Sequence, residues 1–307
     1  MNFSDYLQLL LLRVIGAFLR RFSLKSVHKM AASLGSFFYR HIPIRENVAL
    51  TNLKLCFPEK GNDEIESILE KSYVNITTVF FEFLYFPEFT KDSLRNVVEF
   101  PDESRRLIES ALERGRGLIL MSGHFSNWEL VALAIGAFSP KHFSVVVHPF
   151  HNKSVDKFAN KYRELLGNST VPMENSVRAS LSTLRENGIV ALLADQSAAK
   201  ESTQAKFFGI DVPTFQGPAL FALRTRAAVQ FGVLVRKNDG TYRLHLHEID
   251  YSDLPDDSEA SVAELTQRHV TALEGFIREC PENWLWFHKR FKHVQIFQEK
   301  LREIEET

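Results

Sequence analysis

The chain has 307 residues, of which 45% are hydrophobic and 24% charged, with a formal net charge of -1 at pH 7. That length and apolar share fit one large α/β domain or two small ones and argue against disorder. The balanced charge gives no general attraction to nucleic acid, so none is expected as a partner. Cys56 and Cys280 have no metal-ligand spacing and read as buried thiols, which suits a reducing cytoplasmic side. Phenylalanine is frequent, at 26 residues; it can fill a core, and it also suits a protein that handles hydrocarbon.

Residues 1–22 form an apolar run broken by Arg13 and closed by Arg20 and Arg21. It is short and charged for a span, which needs about 20 apolar residues, and it lacks a signal-peptide cleavage site. It reads as an interfacial, membrane-anchoring helix whose arginines reach lipid phosphates. Residues 23–307 then read as a single α/β domain. Between Met1 and Arg45 seven Lys and Arg are opposed only by Asp5, so the neutral total hides a basic arm.

Helices are expected over 23–38 and 44–56, broken at His41-Ile42-Pro43, and from Asn62 or Asp63 to about Phe81. The apolar cluster Val79 to Phe89 is core or the wall of a lipid channel. A helix over about 102–114 delivers the chain to Gly117 to Glu129, whose sequence is Gly-Leu-Ile-Leu-Met-Ser-Gly-His-Phe-Ser-Asn-Trp-Glu. Leu118 to Met121 show no alternation, as in a parallel strand covered on both faces. Gly123 makes a sharp exit, Ser126 or Asn127 caps a helix, and Glu129 falls in its first turn. On one helix His124 and Glu129 would lie roughly 140° apart. With His124 on the preceding loop, its ring can fold back onto the Glu129 carboxylate, which would fix the tautomer and sharpen the other nitrogen as a base.

The helix continues to about Phe138. Residues 143–147 form a second strand, 154–166 an amphipathic helix carrying Arg163 and stopped by Gly167, and 175–186 a further helix. Ile189 to Leu193 read as a third buried strand, placing Asp195 and Gln196 at its carboxyl end, with Asp195 opening onto the same crevice as His124. Residues 197–214 read as a long loop over the site. Gln216-Gly217-Pro218 opens a helix with free amides suited to an anion. Strands 229–236 and 242–249, joined at Asn238-Asp239-Gly240, read as an antiparallel hairpin at the sheet edge. Helices follow from about Ser258 to Arg278 and from Pro281 onward. The fold class is therefore α/β, a mostly parallel central sheet flanked by helices, with an N-terminal membrane-associated helix.

There is no Gly-x-Ser-x-Gly elbow and no Walker A or Gly-x-Gly-x-x-Gly loop. His148 and His151 make an incomplete ligand set, so neither metal nor cofactor is expected. A His with a carboxylate and no nucleophile motif suggests general-base activation of a hydroxyl.

His124-Phe-Ser-Asn-Trp-Glu129 resembles the His-x4-Asp/Glu box of the lysophospholipid acyltransferase superfamily, and in detail its bacterial lipid A biosynthesis (lauroyl/myristoyl) acyltransferase branch. Arg45 to Pro58, Leu184 to Gln196, Phe207 to Pro213 with Gly217, and Pro281 to Lys292 match the same branch in order. The resemblance implies transfer of an acyl chain from acyl carrier protein or acyl-CoA to a glycolipid hydroxyl, on the cytoplasmic face of a bacterial inner membrane. The acceptor it implies is a lipid A precursor.

Carried over by residue, the resemblance makes His124 the base and Glu129 its orienting partner. It puts Asn127, Arg163, Asp195, Gln196 and Gly217 among substrate-binding positions, with Arg163 near acceptor phosphate or thioester oxygen. The sequence departs from the family at Ser197-Ala-Ala-Lys-Glu-Ser after Asp-Gln, and at His148-Pro149, where the family has arginine-proline. Those departures bear on the acceptor. Two other readings are an acyltransferase on an inositol mannoside or amino-acid lipid, with an acyl-CoA donor, and a non-catalytic lipid-binding protein.

Overall fold

A computed structural model describes residues 3–306. The N-terminal half runs α1 (Phe3–Leu19), α2 (Leu24–His41), α3 (Glu46–Cys56), α4 (Asn62–Tyr85), α5 (Lys91–Val97), β1 (Val98–Glu99), α6 (Asp102–Glu113), β2 (Leu118–Ser122), α7 (Trp128–Phe138) and β3 (Phe143–Val147). It continues through α8 (Lys153–Arg163), β4 (Ser169–Pro172), α9 (Ser176–Arg185), β5 (Ile189–Leu193), β6 (Gln204–Phe207), β7 (Ile210–Pro213) and α10 (Gly217–Thr225). The chain closes with β8 (Ala228–Arg236), β9 (Tyr242–Glu248), α11 (Glu259–Glu279) and α12 (Gln295–Glu305).

Seven strands form one sheet in the order β1-β9-β8-β2-β5-β3-β4, parallel except for the β8–β9 hairpin. The α/β class with a mostly parallel, helix-flanked sheet is as expected. All five residues of β2 are buried. Ile119 and Met121 enter the core on one face, Leu118 and Leu120 the core on the other. That two-sided burial is why the run shows no alternation.

Four local expectations change. The β8–β9 hairpin is not the edge, because the two-residue β1 adds beyond β9. The opposite edge is β4, which had no separate sequence signal. Residues 197–214 are not all loop; β6 and β7 pair antiparallel, with Phe208 and Gly209 at φ 51° and 75°. These two left-handed positions make a two-residue hairpin turn. A Phe in place of Asn at the first of them hides the usual signal. Phe208 is held there by its amide donating to Glu274 Oε2 at 2.6 Å and by Arg278 over its ring. Residues 281–283 form one 3-10 turn, and the segment after it runs through successive turns until α12.

Helix α1 docks through Leu9, Gly16 and Leu19, with Arg20 donating to the Leu84 carbonyl at 2.9 Å. An added Cβ at Gly16 would lie 3.4 Å from that same carbonyl oxygen, so the helix approaches closely there. Its other flank leaves Phe3, Tyr6, Leu7, Leu10, Leu11, Val14 and Phe18 exposed. Among the described residues no helix is long and apolar enough to cross a membrane.

Candidate active site

The site follows from strand register. Adjacent parallel strands β2 and β5 pair Ser122 with Leu193. Two residues further along each strand are His124 and Asp195, so the sheet itself brings them side by side at its carboxyl edge, where open α/β sheets bind ligands. Asp195 Oδ1 lies 2.7 Å from His124 Nδ1, and Asp195 Oδ2 accepts the His124 amide at 2.8 Å. The same Oδ2 accepts the Trp284 indole N–H at 2.9 Å. A Cβ on Gly123 would come within 3.3 Å of Oδ2 and 2.8 Å of a Leu273 methyl, so a side chain at this exit would press on both.

These contacts set the electrostatics. Burial pushes the Asp195 carboxyl up, but the His124 imidazole, the His124 amide and the Trp284 indole together hold it down at about 2. Burial pulls His124 down, yet the Asp195 charge and hydrogen bond, aided by the Glu129 charge, leave its pKa raised above 6.5. With Nδ1–H given to Asp195, Nε2 is the basic nitrogen. The Gln196 amide nitrogen stands 3.3 Å from it, on the face an acceptor hydroxyl must reach. Trp128 packs on the imidazole at 5.1 Å between ring centroids.

The expected His124–Glu129 pairing is corrected. Glu129 is bound fork to fork by Arg163, through Nε at 2.9 Å and Nη2 at 2.6 Å, and Arg163 Nη1 donates to Asn160. Asn127 caps α7, so Glu129 begins the helix and projects towards α8 rather than back over the loop. Glu129 therefore reaches His124 through its charge. Arg163, placed by expectation near acceptor phosphate, has its guanidinium nitrogens engaged by protein.

Asn127 is fully buried. Its Oδ1 accepts the Leu130 amide and its Nδ2 donates to Glu82 at 2.5 Å, so it positions the helix and is closed to substrate. Glu82 is itself buried, and Tyr242 donates to it at 2.6 Å while His28 Nε2 lies at 2.5 Å. Gly217 opens α10; among the described residues it makes no hydrogen bond with the His124–Asp195 cluster. Asp195 and Gln196, expected at the substrate, are instead the two residues on either side of the imidazole.

Three residues were missed by sequence reasoning as parts of the site. Trp284, read as packing, is a donor to Asp195. Asn52 donates to the Trp286 and His288 carbonyls at 2.6 and 2.8 Å, fixing the turn-rich segment that carries Trp284. His288 accepts the Ser197 amide at 3.2 Å, and burial pushes its pKa down to about 4, so it is neutral. The signal for Trp284 and Asn52 was their place inside the matching stretches.

The same segment joins the site to an apolar cleft. Leu285 donates its amide to the His124 carbonyl at 3.0 Å. Its side chain, with Phe287, Ile76, Phe80, Phe38 and Ile15 among others, lines a cleft of about 550 Å³. A hydrocarbon can lie there, against the segment bonded to the His124 backbone.

The chain matches the family model described as bacterial lipid A biosynthesis acyltransferase over residues 2–293. It is 26% identical over 251 residues to a lipid A biosynthesis palmitoleoyltransferase of Escherichia coli, covering 81% of this chain and 79% of the relative. To the lauroyltransferase of the same organism it is 23% identical, covering 87% and 85%. To a phosphatidylinositol mannoside acyltransferase of Mycolicibacterium smegmatis it is 27% identical, covering 57% of each chain. A basic imidazole backed by a buried carboxylate, an adjoining hydrocarbon cleft and a match over nearly the whole chain agree: the protein belongs to the bacterial lipid A biosynthesis acyltransferase family and is an acyltransferase.

Proposed function

We propose that the protein moves a fatty acyl chain from a thioester donor, acyl carrier protein or acyl-CoA, to a hydroxyl of a membrane glycolipid, a lipid A precursor. His124 Nε2 takes the proton as the hydroxyl oxygen attacks the thioester carbonyl carbon. The C–O bond forms, the tetrahedral intermediate collapses, the C–S bond breaks, and the imidazolium returns its proton to the departing thiolate. Asp195 holds the imidazolium through Nδ1, and the Glu129–Arg163 pair supplies a fixed field beside it. The first two amides after His124 are already engaged and so are not free to hold the oxyanion. The Phe125 amide donates to Gly123 and the Ser126 amide to Asn283.

The observation that carries this reading is the His124–Asp195 hydrogen bond, which leaves Nε2 as the basic nitrogen, with the cleft residue Leu285 bonded to the His124 carbonyl. The exposed apolar flank of α1 and the neighbouring Phe22, Phe37, Ile42, Ile44 and Phe80 suit burial in the lipid interface, at the inner face of a bacterial inner membrane. Incubating the protein with acyl carrier protein or acyl-CoA thioesters and a lipid A precursor, and following free thiol and acylated lipid, tests the reading. The expected result is thiol release that depends on the acceptor. Thiol release without acylated lipid would reject it. The match to a phosphatidylinositol mannoside acyltransferase, together with His148-Pro149 in place of arginine-proline, favours running an inositol glycolipid acceptor in parallel.

A further inference from the structure

Helices α1 and α8 enclose a second cleft, of about 480 Å³, outside the His124 site. Its α8 wall is Ser154, Lys157, Phe158 and Lys161, which recur on one helical face, and its α1 wall is Leu9 and Arg13. Tyr162 also lines it; its ring packs on Phe158 at 4.4 Å and its hydroxyl accepts from Arg20. Lys157 and Lys161 are like charges one turn apart, which alone disfavours the helix. Arg13 adds a third cation from across the cleft.

All three are exposed, and among the described residues none of them makes an ion pair or hydrogen bond. By contrast, Asp156 of α8 is engaged by the Phe150 amide and the Asn160 side chain, and Arg163 by Glu129. Three unmatched cations around a polar-and-aromatic floor form a pocket for a compact anion with more than one charge. The flank of α1 beyond it is apolar: Val14, Ile15 and Phe18 open onto lipid-sized clefts. The ligand that satisfies both flanks is a phosphate joined to acyl chains.

We propose that this cleft holds a phosphate of the glycolipid acceptor, seated by Arg13, Lys157 and Lys161. The proposal rests on the acceptor class given above. Its reasons are that Arg163 is already engaged by Glu129, and that α8 carries that arginine and so fixes the Glu129 charge that acts on His124. A headgroup lodged on α8 is thereby tied to the element that shapes the site.

The test uses phosphatidylcholine vesicles doped with a diphosphorylated glucosamine-disaccharide lipid or with its phosphatase-treated form. Wild-type protein, the double variant Lys157→Ala/Lys161→Ala and the control Lys25→Ala/Lys29→Ala are compared by flotation. The wild type is expected to bind the phosphorylated vesicles more tightly. The cleft variant should lose about five-fold in affinity per lysine removed, with no change on dephosphorylated vesicles, and the control should keep its preference. Equal losses in both double variants, or on both vesicle types, would overturn the proposal, since either result means general surface charge. Flotation needs no turnover, so it stands even if acyl transfer is not found. Where transfer is found, the cleft variant should raise KM for the phosphorylated acceptor and leave kcat and donor KM unchanged; a fall in kcat alone would count against it.

Discussion

Asp195 holds His124 at two points: one carboxylate oxygen is 2.7 Å from the ring nitrogen and the other is 2.8 Å from the backbone amide of the same residue. The ring is thus fixed in both tautomer and orientation by a group itself fixed on β5. Removing that charge while keeping the shape, by Asp195→Asn, should lower kcat about 10²–10⁴-fold, the range of positioned acid–base catalysis. Because Asp195 raises the His124 pKa, the variant should also shift the acid limb of kcat/KM to lower pH. In the wild type that limb should lie above 6.5, with activity falling as pH drops through it. An unmoved limb would mean that the imidazole is not the titrating base.

The same pair makes stability depend on pH. The Asp195 pKa is depressed from 3.8 to about 2, so its contribution is complete above 3.8 and disappears as pH falls through about 2. A fall from 3.8 to about 2 corresponds to about 2.5 kcal/mol. The stability gap between wild type and Asp195→Ala in denaturant titrations should therefore narrow between pH 4 and pH 2. His124 acts with the opposite sign: its pKa is raised, so its share is complete below 6.5 and fades as pH rises through the folded value. A gap constant over the acid range would contradict the assignment.

Glu129 and Arg163 are each mostly buried and bound to one another by two hydrogen bonds. Removing either alone leaves a poorly solvated charge, so Glu129→Gln and Arg163→Gln should each be more damaging than the pair of changes together suggests. A double-mutant cycle on thermal stability should show coupling of about 0.5–3 kcal/mol. Additive losses would show that the pair does not act as a unit.

Trp284 tests the outer ring of the site. Trp284→Phe keeps an aromatic packed against Trp286 and removes only the N–H that Asp195 accepts. A hydrogen bond to a charged group is worth about 1.5–3 kcal/mol, so kcat should fall about ten-fold or more while the fold persists. An unchanged kcat would place Trp284 among the packing residues alone.

The apolar cleft should set chain length. Ile76→Trp fills part of its wall, and the preferred acyl donor should shorten in competition assays with mixed thioesters. An unchanged preference would place the acyl chain elsewhere.

The sequence made the scaffold of the site legible and mislaid one pairing. The unbroken apolar run of β2, the Asn127 cap and the Asn238-Asp239-Gly240 hairpin are local signals, and each stands where expected. The partner of His124 is not local. Glu129 is five positions away and Asp195 seventy-one, and only the knowledge that β2 and β5 are neighbours in register would have favoured the distant carboxylate. Asn127 looked open to substrate because a cap and a ligand share the same residue types; burial against Glu82 decides between them. The β6–β7 hairpin was hidden by a Phe at a left-handed position, tolerated because α11 grips its amide and ring.

The most direct test of the central claim is the rate of acceptor-dependent thiol release by His124→Ala, measured beside its thermal unfolding. Turnover should fall by at least about 10²-fold while the unfolding transition stays cooperative, because the imidazole is a base at the strand end rather than a core prop. Near wild-type turnover from a folded His124→Ala protein would contradict the account.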